Sequence, residues 1–373
     1  MTGGRHIVHL LSSFEMGGQE RVALDLASDQ VRAGYRVSVL SMAPEPDGPL
    51  AVEFSAAGAT VDRVPRHRAG VDPGLVVRLA SWLRRHDADV MHTHNRMALI
   101  YGAPAGRLAR AAVVHTKHGN NPKNGTRLIA GNLAGRLVHA FVAVSPETAD
   151  FARGRKEIDE RRLSVITNGI ELGRFHPDPE ARARVRAELG IDADAWVVGT
   201  VGRVAVEKNQ ALFVRALAPL LGPGAHLVIA GDGPLMPSLR ELTTTLGVAA
   251  YVHLLGVRHD VPAILCALDV FVLSSLTEGL PLVVPEAMAT SLPVVATAVG
   301  GLPTVIDEGV TGYLVPSQDE ATLRERAAAL KADRELGRTL GARARSAAIE
   351  RFSAERMQRD YQDLYERILA RRS

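Results

Sequence analysis

Residues 270–289 read VFVLSSLTEGLPLVVPEAMA. Val270, Phe271, Val272 and Leu273 form an apolar run without alternation, which is how a strand buried on both faces of a parallel sheet reads. Ser274 to Thr277 break the run, and Glu278-Gly279-Leu280-Pro281 leads into a helical pattern. Proline suits a first helical turn, where its missing N–H costs nothing, so Pro281 is expected to open that helix. Strand, polar loop and helix in this order make one βα unit.

The unit recurs in both directions along the chain. Apolar runs at 196–201, 225–230, 252–255, 294–296 and 312–315 are each followed by a helical pattern or a glycine-containing loop. Upstream, HIVHLL at 6–11 is followed by a helix over 17–33, with Val22, Leu24, Leu26, Ala27 and Val31 about one turn apart. RVSVLS at 36–41, a helix over 74–85, and strands at 89–92, 112–116 and 140–145 continue the cycle. Alternating β and α segments build a parallel sheet covered on both faces. The loop TNGIELGRFHPD at 167–178, with its Asn-Gly and His-Pro punctuation, is expected to join two such domains. The expected division is 1–166, a linker at 167–178, 179–351, and 352–373, whose helix carries Met357, Tyr361, Leu364, Tyr365, Ile368 and Leu369 on one stripe. A chain of 373 residues suits two domains better than one core.

Composition narrows the function classes. Hydrophobic residues make up 46% and charged residues 23%, the profile of a globular protein. No apolar stretch reaches the ~18–20 residues that span a bilayer. The N-terminal segment lacks the features of a secretory signal, and a cytoplasmic location is expected. Cys266 is the single cysteine, which excludes an intramolecular disulfide and a cysteine metal cluster. Residues 1–166 carry 22 Lys/Arg against 16 Asp/Glu, and the remainder 22 against 25. A first half near +6 admits an anionic acceptor or a peripheral membrane contact. Its basic residues are spread rather than clustered, so no nucleic-acid partner is expected.

Two segments carry the chemistry. Gly279 allows close backbone approach to a ligand, and free amides at the start of the following helix suit an anion such as a diphosphate. Glu278 stands before that helix and Glu286 eight residues later, about two turns in, so two carboxylates could accept hydroxyls from opposite ends of a long ligand. In VGTVGRVAVEKNQ at 198–210, a strand ends in Gly202-Arg203 and Lys208 follows at a helix entry. Two cations on one loop can hold a diphosphate and stabilise the charge that grows on it as it leaves.

The set as a whole resembles glycosyltransferase family 4. Gly202-Arg203 with Glu207-Lys208-Asn209, the turn Gly231-Asp232-Gly233-Pro234, and Glu278 with Glu286 match its second-domain motifs. Gly17-Gly18 followed by Glu20, the strand end His115-Thr116-Lys117-His118-Gly119, Asn168-Gly169-Ile170 with Phe175, and Val299-Gly300-Gly301-Leu302-Pro303 resemble the others. The likeness extends over nearly the whole chain. It implies an α/β GT-B fold: two Rossmann-like, doubly wound domains facing a central cleft, with the C-terminal helix crossing back to the first domain. The first domain would bind the acceptor and the second the nucleotide sugar.

The resemblance also implies roles. Arg203 and Lys208 would hold the donor diphosphate, with Gly202 ending their strand. Glu278 with the amides of Gly279, Leu280, Pro281 and Leu282 would grip sugar and phosphate, and Glu286 would bind the ribose. Gly17 and Gly18 would approach the β-phosphate, His118 would sit by the reacting carbon, and Arg258 would flank the base. The reaction would be a metal-free, retaining, front-face transfer from a nucleotide-diphosphate sugar, with UDP expected, and no cofactor. The acceptor is open: a small molecule, a natural product, or a phosphorylated or lipid-linked glycan, which Arg107, Arg110, Lys117, Lys123, Arg127 and Arg136 could meet.

Four competing readings weigh less. A sugar-nucleotide epimerase or phosphorylase shares the fold, but a phosphorylase needs a lysine for pyridoxal phosphate, and Lys208 is better used on phosphate. A metal-dependent hydrolase could use His92 and His94 as an HxH pair after a strand, yet no matching ligand set follows. A dehydrogenase would need a GxGxxG turn, which residues 12–18 lack. A non-catalytic binding protein would not need Arg203, Lys208, Glu278 and Glu286 together.

Overall fold

The computed structural model describes residues 4–15, 17–44, 48–67, 72–119 and 126–371. The chain folds as two units, Met1–Gly169 with Ala354–Ser373, and Ile170–Ser353.

The first unit contains β1 (His6–Leu11), α1 (Gly18–Arg32), β2 (Arg36–Ser41), α2 (Leu50–Ala56), β3 (Thr60–Arg63), α3 (Pro73–Arg85), β4 (Val90–Thr93), α4 (Arg96–Ala109), β5 (Ala112–Lys117), α5 (Thr126–Gly135), β6 (Ala140–Ala143), α6 (Pro146–Gly154) and β7 (Leu163–Val165). Its strands form one parallel sheet in the order β3-β2-β1-β4-β5-β6-β7. The order reverses between β1 and β4, and ligands of such sheets bind beyond the strand ends at that switch point.

Every residue of β1, β4, β5 and β6 is buried, the polar His9, His92, Thr93, His115, Thr116 and Lys117 included. The helices start where the sequence supplies caps: the Ala98 amide donates to Asn95 Oδ1 at 2.8 Å ahead of α4, and the Thr148 amide to Ser145 Oγ at 3.1 Å ahead of α6. Helix α4 lies tight on the sheet. A Cβ on Gly102 would come within 2.5 Å of Thr93 Cγ2, and one on Gly106 within 2.6 Å of Val113 Cγ2.

The second unit contains α7 (Pro179–Glu188), β8 (Trp196–Val201), α8 (Gln210–Leu217), β9 (Ala225–Ala230), α9 (Met236–Thr245), β10 (Val252–Leu254), α10 (Val261–Ala267), β11 (Val270–Leu273), α11 (Val283–Ala289), β12 (Val294–Thr297), β13 (Gly312–Val315), α12 (Glu320–Ala332) and α13 (Arg334–Arg351). Its parallel sheet runs β10-β9-β8-β11-β12-β13, with the switch between β8 and β11. Trp196, Phe213 and Phe271 anchor its core. The last helix, α14 (Ala354–Ala370), belongs to the first unit, where it buries Met357, Tyr361, Leu364, Tyr365 and Ile368.

One local expectation is corrected. Helix α11 starts at Val283 rather than at Pro281, because a tight turn in which the Val284 amide reaches Pro281 O at 3.2 Å precedes it. Glu286 therefore lies in its first turn, not two turns in. Residues 170–178 belong to the second unit, where the Ile170 amide donates to Phe352 O at 2.8 Å.

Candidate active site

In the second unit the loops after β8 and β11 meet at the switch point. Gly202 ends β8 with φ +155°, and a Cβ on Gly231, where φ is +138°, would lie 2.0 Å from Gly202 O. Only glycine lets those two turns touch. The chain then makes a short 3-10 turn over Val206–Lys208, and Asn209 reverses it in the left-handed region at φ +49° before α8.

That turn is fastened to the loop after β11. The Leu276 amide donates to Glu207 O at 2.8 Å, and Ser274 Oγ donates to Lys208 O and Asn209 O at 3.1 and 3.0 Å. The result places Lys208 Nζ 2.6 Å from Glu278 Oε1, which also accepts from Ser275 Oγ at 2.5 Å. The Glu278 side chain is 8% exposed and that of Lys208 22%.

Behind Glu278, Gly300 sits at φ +61°, where a Cβ would come within 2.2 Å of Glu278 O. The Gly301 amide donates to Gly279 O at 2.7 Å. Among the described residues the amides of Gly279, Leu280 and Leu282 meet no backbone carbonyl, and Pro281 has no N–H to offer. Leu280 itself is buried, so its side chain anchors the loop.

Arg203 stands apart. It is exposed, its carbonyl takes a hydrogen bond from Gln210 Nε2 at 2.9 Å, and it has no acid partner among the described residues. Arg258 is differently placed: its guanidinium donates to Asp260 Oδ1 at 2.8 Å and to Glu188 Oε1 at 2.5 Å. These acids raise its pKa further. Its turn adjoins the one after β9 through the Gly231 amide and Gly256 O at 2.7 Å. The structure thus joins Lys208 to Glu278 and leaves Arg203 unpaired, while the Arg258 bonds run elsewhere. Glu286 is half-buried in α11.

In the first unit Gly17 is the N-cap of α1 and supplies no side chain for its first-turn amides, and Gly18 is exposed. His118 follows β5 directly. Its Nε2 lies 3.1 Å from His94 Nδ1, His94 Nε2 lies 2.8 Å from His9 Nδ1, and His9 Nε2 lies 2.7 Å from Gln30 Oε1. Gln30 Nε2 donates to Tyr365 Oη at 3.2 Å, and that oxygen lies 2.7 Å from His92 Nδ1. His92 Nε2 then meets Thr116 Oγ1 at 2.7 Å, and Thr116 meets Tyr361 Oη at 2.8 Å.

Burial lowers the pKa of His9 to about 4 and of His118 to about 3. It holds His92, His94 and His115 well below the usual histidine range, with the crowding of the histidines adding to the effect at His92 and His94 and the Lys117 cation at His115. His9, His92 and His94 offer nitrogens within 4.8 Å of one another, a spacing that could hold a metal ion. Each of those nitrogens is instead taken up by an amide, a hydroxyl or another imidazole, the state of a satisfied hydrogen-bonded core. Lys117 is committed to Glu157 at 2.8 Å. Lys123 and the side chain of Arg127 lie outside the described residues.

Sequence reading missed Gln30 and His9 in this network. A histidine inside a run otherwise buried on both faces, HIVHLL, was the available signal.

Two parallel Rossmann-like sheets, each with its polar loops at the switch point, define the GT-B class of α/β enzymes. HepE of Anabaena, solved with UDP and glucose, matches with a TM-score of 0.87 and 25% identity, over 96% of this chain and 99% of that one. A profile described as Glycosyltransferase Family 4 matches residues 16–174, and one described as Glycosyl transferases group 1 matches residues 195–333. UDP-Gal:alpha-D-GlcNAc-diphosphoundecaprenol alpha-1,3-galactosyltransferase of Escherichia coli is 31% identical over 66% of this chain and 67% of its own length. D-inositol 3-phosphate glycosyltransferase of Saccharomonospora viridis is 29% identical over 95% and 90%. The chain belongs to glycosyltransferase family 4, and it is a glycosyltransferase that uses a nucleotide-sugar donor. No helix among the described residues is long and apolar enough to cross a membrane.

Proposed function

We propose that the protein transfers a hexose from a UDP-linked donor to a hydroxyl of a phosphate-bearing acceptor, retaining the anomeric configuration and needing no metal ion. The observation that carries this reading is the loop pair at the β8/β11 switch point. There a buried carboxylate, Glu278, is held against Lys208 beside unpaired backbone amides, with the uncommitted cation Arg203 on the adjoining turn.

Each part then has a task. Arg203 and Lys208 take the diphosphate, and their charge matters more as the leaving group gains negative charge. Glu278 and the amides of Gly279, Leu280 and Leu282 bind sugar hydroxyls and phosphate oxygens, Glu286 takes the ribose, and Arg258 lies toward the base. In the first unit, the uncapped amides at Gly17 and Gly18 serve phosphate, and His118 serves the transferred sugar. An oxocarbenium-like transition state needs positioning and leaving-group stabilisation rather than a protein nucleophile. UDP is favoured because HepE was solved with it and the E. coli relative is named for UDP-Gal. Both named relatives act on phosphate-bearing acceptors, which agrees with the positive first half of the chain.

The test is a panel of nucleotides and sugar nucleotides, read first as a thermal shift, because a ligand of the native state raises the melting temperature. UDP sugars should give the largest shift. Turnover of the active donor should persist in EDTA, and NMR should show an α-linked product from an α-linked donor. A GDP-sugar preference, loss of activity in EDTA or an inverted product would each overturn the corresponding element. An uncharged acceptor whose KM ignores salt would remove the phosphate.

A further inference from the structure

The histidine chain in the first unit has a polarity. Gln30, His9 and His94 are at most 3% exposed, so each must satisfy its polar atoms internally. Gln30 donates through Nε2 to Tyr365 Oη, which leaves its Oε1 as the atom facing His9. A carbonyl oxygen only accepts, so His9 carries its proton on Nε2. A neutral imidazole has one donor and one acceptor, and burial keeps these rings neutral. His9 Nδ1 is therefore an acceptor and takes the proton of His94 Nε2 at 2.8 Å. His94 Nδ1 is in turn an acceptor and takes the proton of His118 Nε2 at 3.1 Å. One tautomer remains for His118: Nε2–H, with a bare lone pair on Nδ1. That Nδ1 is shielded from solvent and meets no partner among the described residues.

We propose that Gln30, His9 and His94 are positioning residues that lock His118 as its Nε2–H tautomer, so that its Nδ1 accepts a hydrogen bond from a hydroxyl of the transferred sugar. The second clause rests on the sugar-transfer reading above; the tautomer itself does not. A buried acceptor left unsatisfied is costly, and a ligand hydroxyl is a group that removes this cost. The polarity also selects among ligands: a bare Nδ1 takes a hydroxyl proton and repels a phosphate oxygen. The other arm of the network takes its direction from the same Gln30 amide. Tyr365 Oη accepts from Gln30 and so gives its proton to His92 Nδ1, and His92 Nε2–H donates to Thr116 Oγ1.

The experiment is long-range proton–nitrogen correlation NMR on the full chain labelled with 15N-histidine, with His118 assigned by the signal lost in His118→Ala. The expected spectrum shows His118 protonated at Nε2 and unprotonated at Nδ1. Gln30→Glu keeps an acceptor toward His9 and should keep that tautomer. Gln30→Leu removes the acceptor and should give a mixture of tautomers, with kcat about tenfold lower and the donor KM little changed, the scale on which loss of a group that orients another acts. A His118 protonated at Nδ1 in the wild type, or a tautomer unmoved by Gln30→Leu, overturns the lock. The wild-type spectrum decides the matter even if a variant fails to fold. UDP-glucose, and not UDP, should shift the Nδ1 signal. The expected tautomer with no response to UDP-glucose upholds the lock and counts against the site reading alone.

Discussion

Replacing Lys208 by Met should cost both stability and activity, and a second substitution separates the two. In the wild type, Nζ lies 2.6 Å from a carboxylate that is 8% exposed. Without it, Glu278 Oε1 keeps one donor, Ser275 Oγ. Stranding one member of a fully buried pair costs ~3–5 kcal/mol. Lys208 keeps 22% of its side-chain exposure, so water can partly replace it, and about 2 kcal/mol is expected. For a domain of this size that is a fall of about 4–8 °C in the melting temperature. Turnover should drop about a hundred- to a thousandfold, as when one preorganised donor is lost from a developing anion. The double variant Lys208→Met with Glu278→Gln removes the stranded charge, so its melting temperature should recover to within a few degrees of wild type while turnover stays lost. The assays are thermal unfolding and release of UDP from UDP-glucose. If the double variant is no more stable than the single one, the pair is not a coupled buried pair. If Lys208→Met keeps full turnover, the lysine does not serve the diphosphate.

Arg203→Ala behaves differently, because Arg203 has no acid partner among the described residues: the melting temperature should hold, the donor KM should rise about tenfold, and the rise should shrink with added salt. A KM that ignores the substitution would remove Arg203 from the donor site. Gly300→Ala should lower the melting temperature and turnover together, since its Cβ would press on Glu278 O at 2.2 Å. Gly309→Ala, also at positive φ but with nothing within 4 Å, should cost only the backbone strain of about 1 kcal/mol. Equal effects would show that the close approach to Glu278 is immaterial. The first unit should also lose stability as pH falls from 7 to 5. Burial depresses the folded-state pKa of His9 and His118 to about 4 and about 3, so in that window the unfolded chain binds more protons. Each should contribute a loss on the order of 1–2 kcal/mol, and an unfolding midpoint flat over that range would contradict the neutral network.

Much of the second sheet was legible because its strands are mostly apolar runs with no alternation, the edge strand β13 included. β8, β9, β11 and β13 fall where the pattern put them, at Trp196–Val201, Ala225–Ala230, Val270–Leu273 and Gly312–Val315. The edge strands β3 and β7 were not, since TVDR and LSV are short and partly exposed and carry too little apolar signal. Helix α4 was hidden by GAPAG, which reads as a break. Its glycines serve instead to let the helix onto the sheet, and Pro104 is carried inside it. Loop residues at strand ends, such as Lys208 and Glu278, could be named as candidates from their motifs. That the two touch could not, because their contact depends on β8 and β11 being neighbours across a switch point 70 residues apart in sequence. The histidine network was invisible for the same reason: it joins β1, α1, β4, β5 and α14.

The two units handle charge in opposite ways, and this difference makes a last prediction. Sugar transfer from a diphosphate builds negative charge on the leaving group and positive charge on the sugar. On the proposed reading, the second unit supplies cations, Arg203 and Lys208, for the former. The first unit offers imidazoles that burial keeps uncharged, which on the same reading bring no like charge to the sugar. A histidine acting as a proton-transfer catalyst would have a pKa near the working pH, and kcat would bend there. His118 has been moved the other way, to about 3, so between pH 8 and pH 6 it stays neutral and kcat should show no inflection near the ordinary histidine value of about 6.5. The measurement is kcat at saturating UDP-glucose across that range, beside His118→Gln, which keeps a neutral hydrogen-bonding group. The variant should lower kcat by the same factor at every pH. A wild-type profile that falls with a midpoint near 6.5, and loses that fall in the variant, would show that His118 titrates during turnover and is not held as a neutral acceptor.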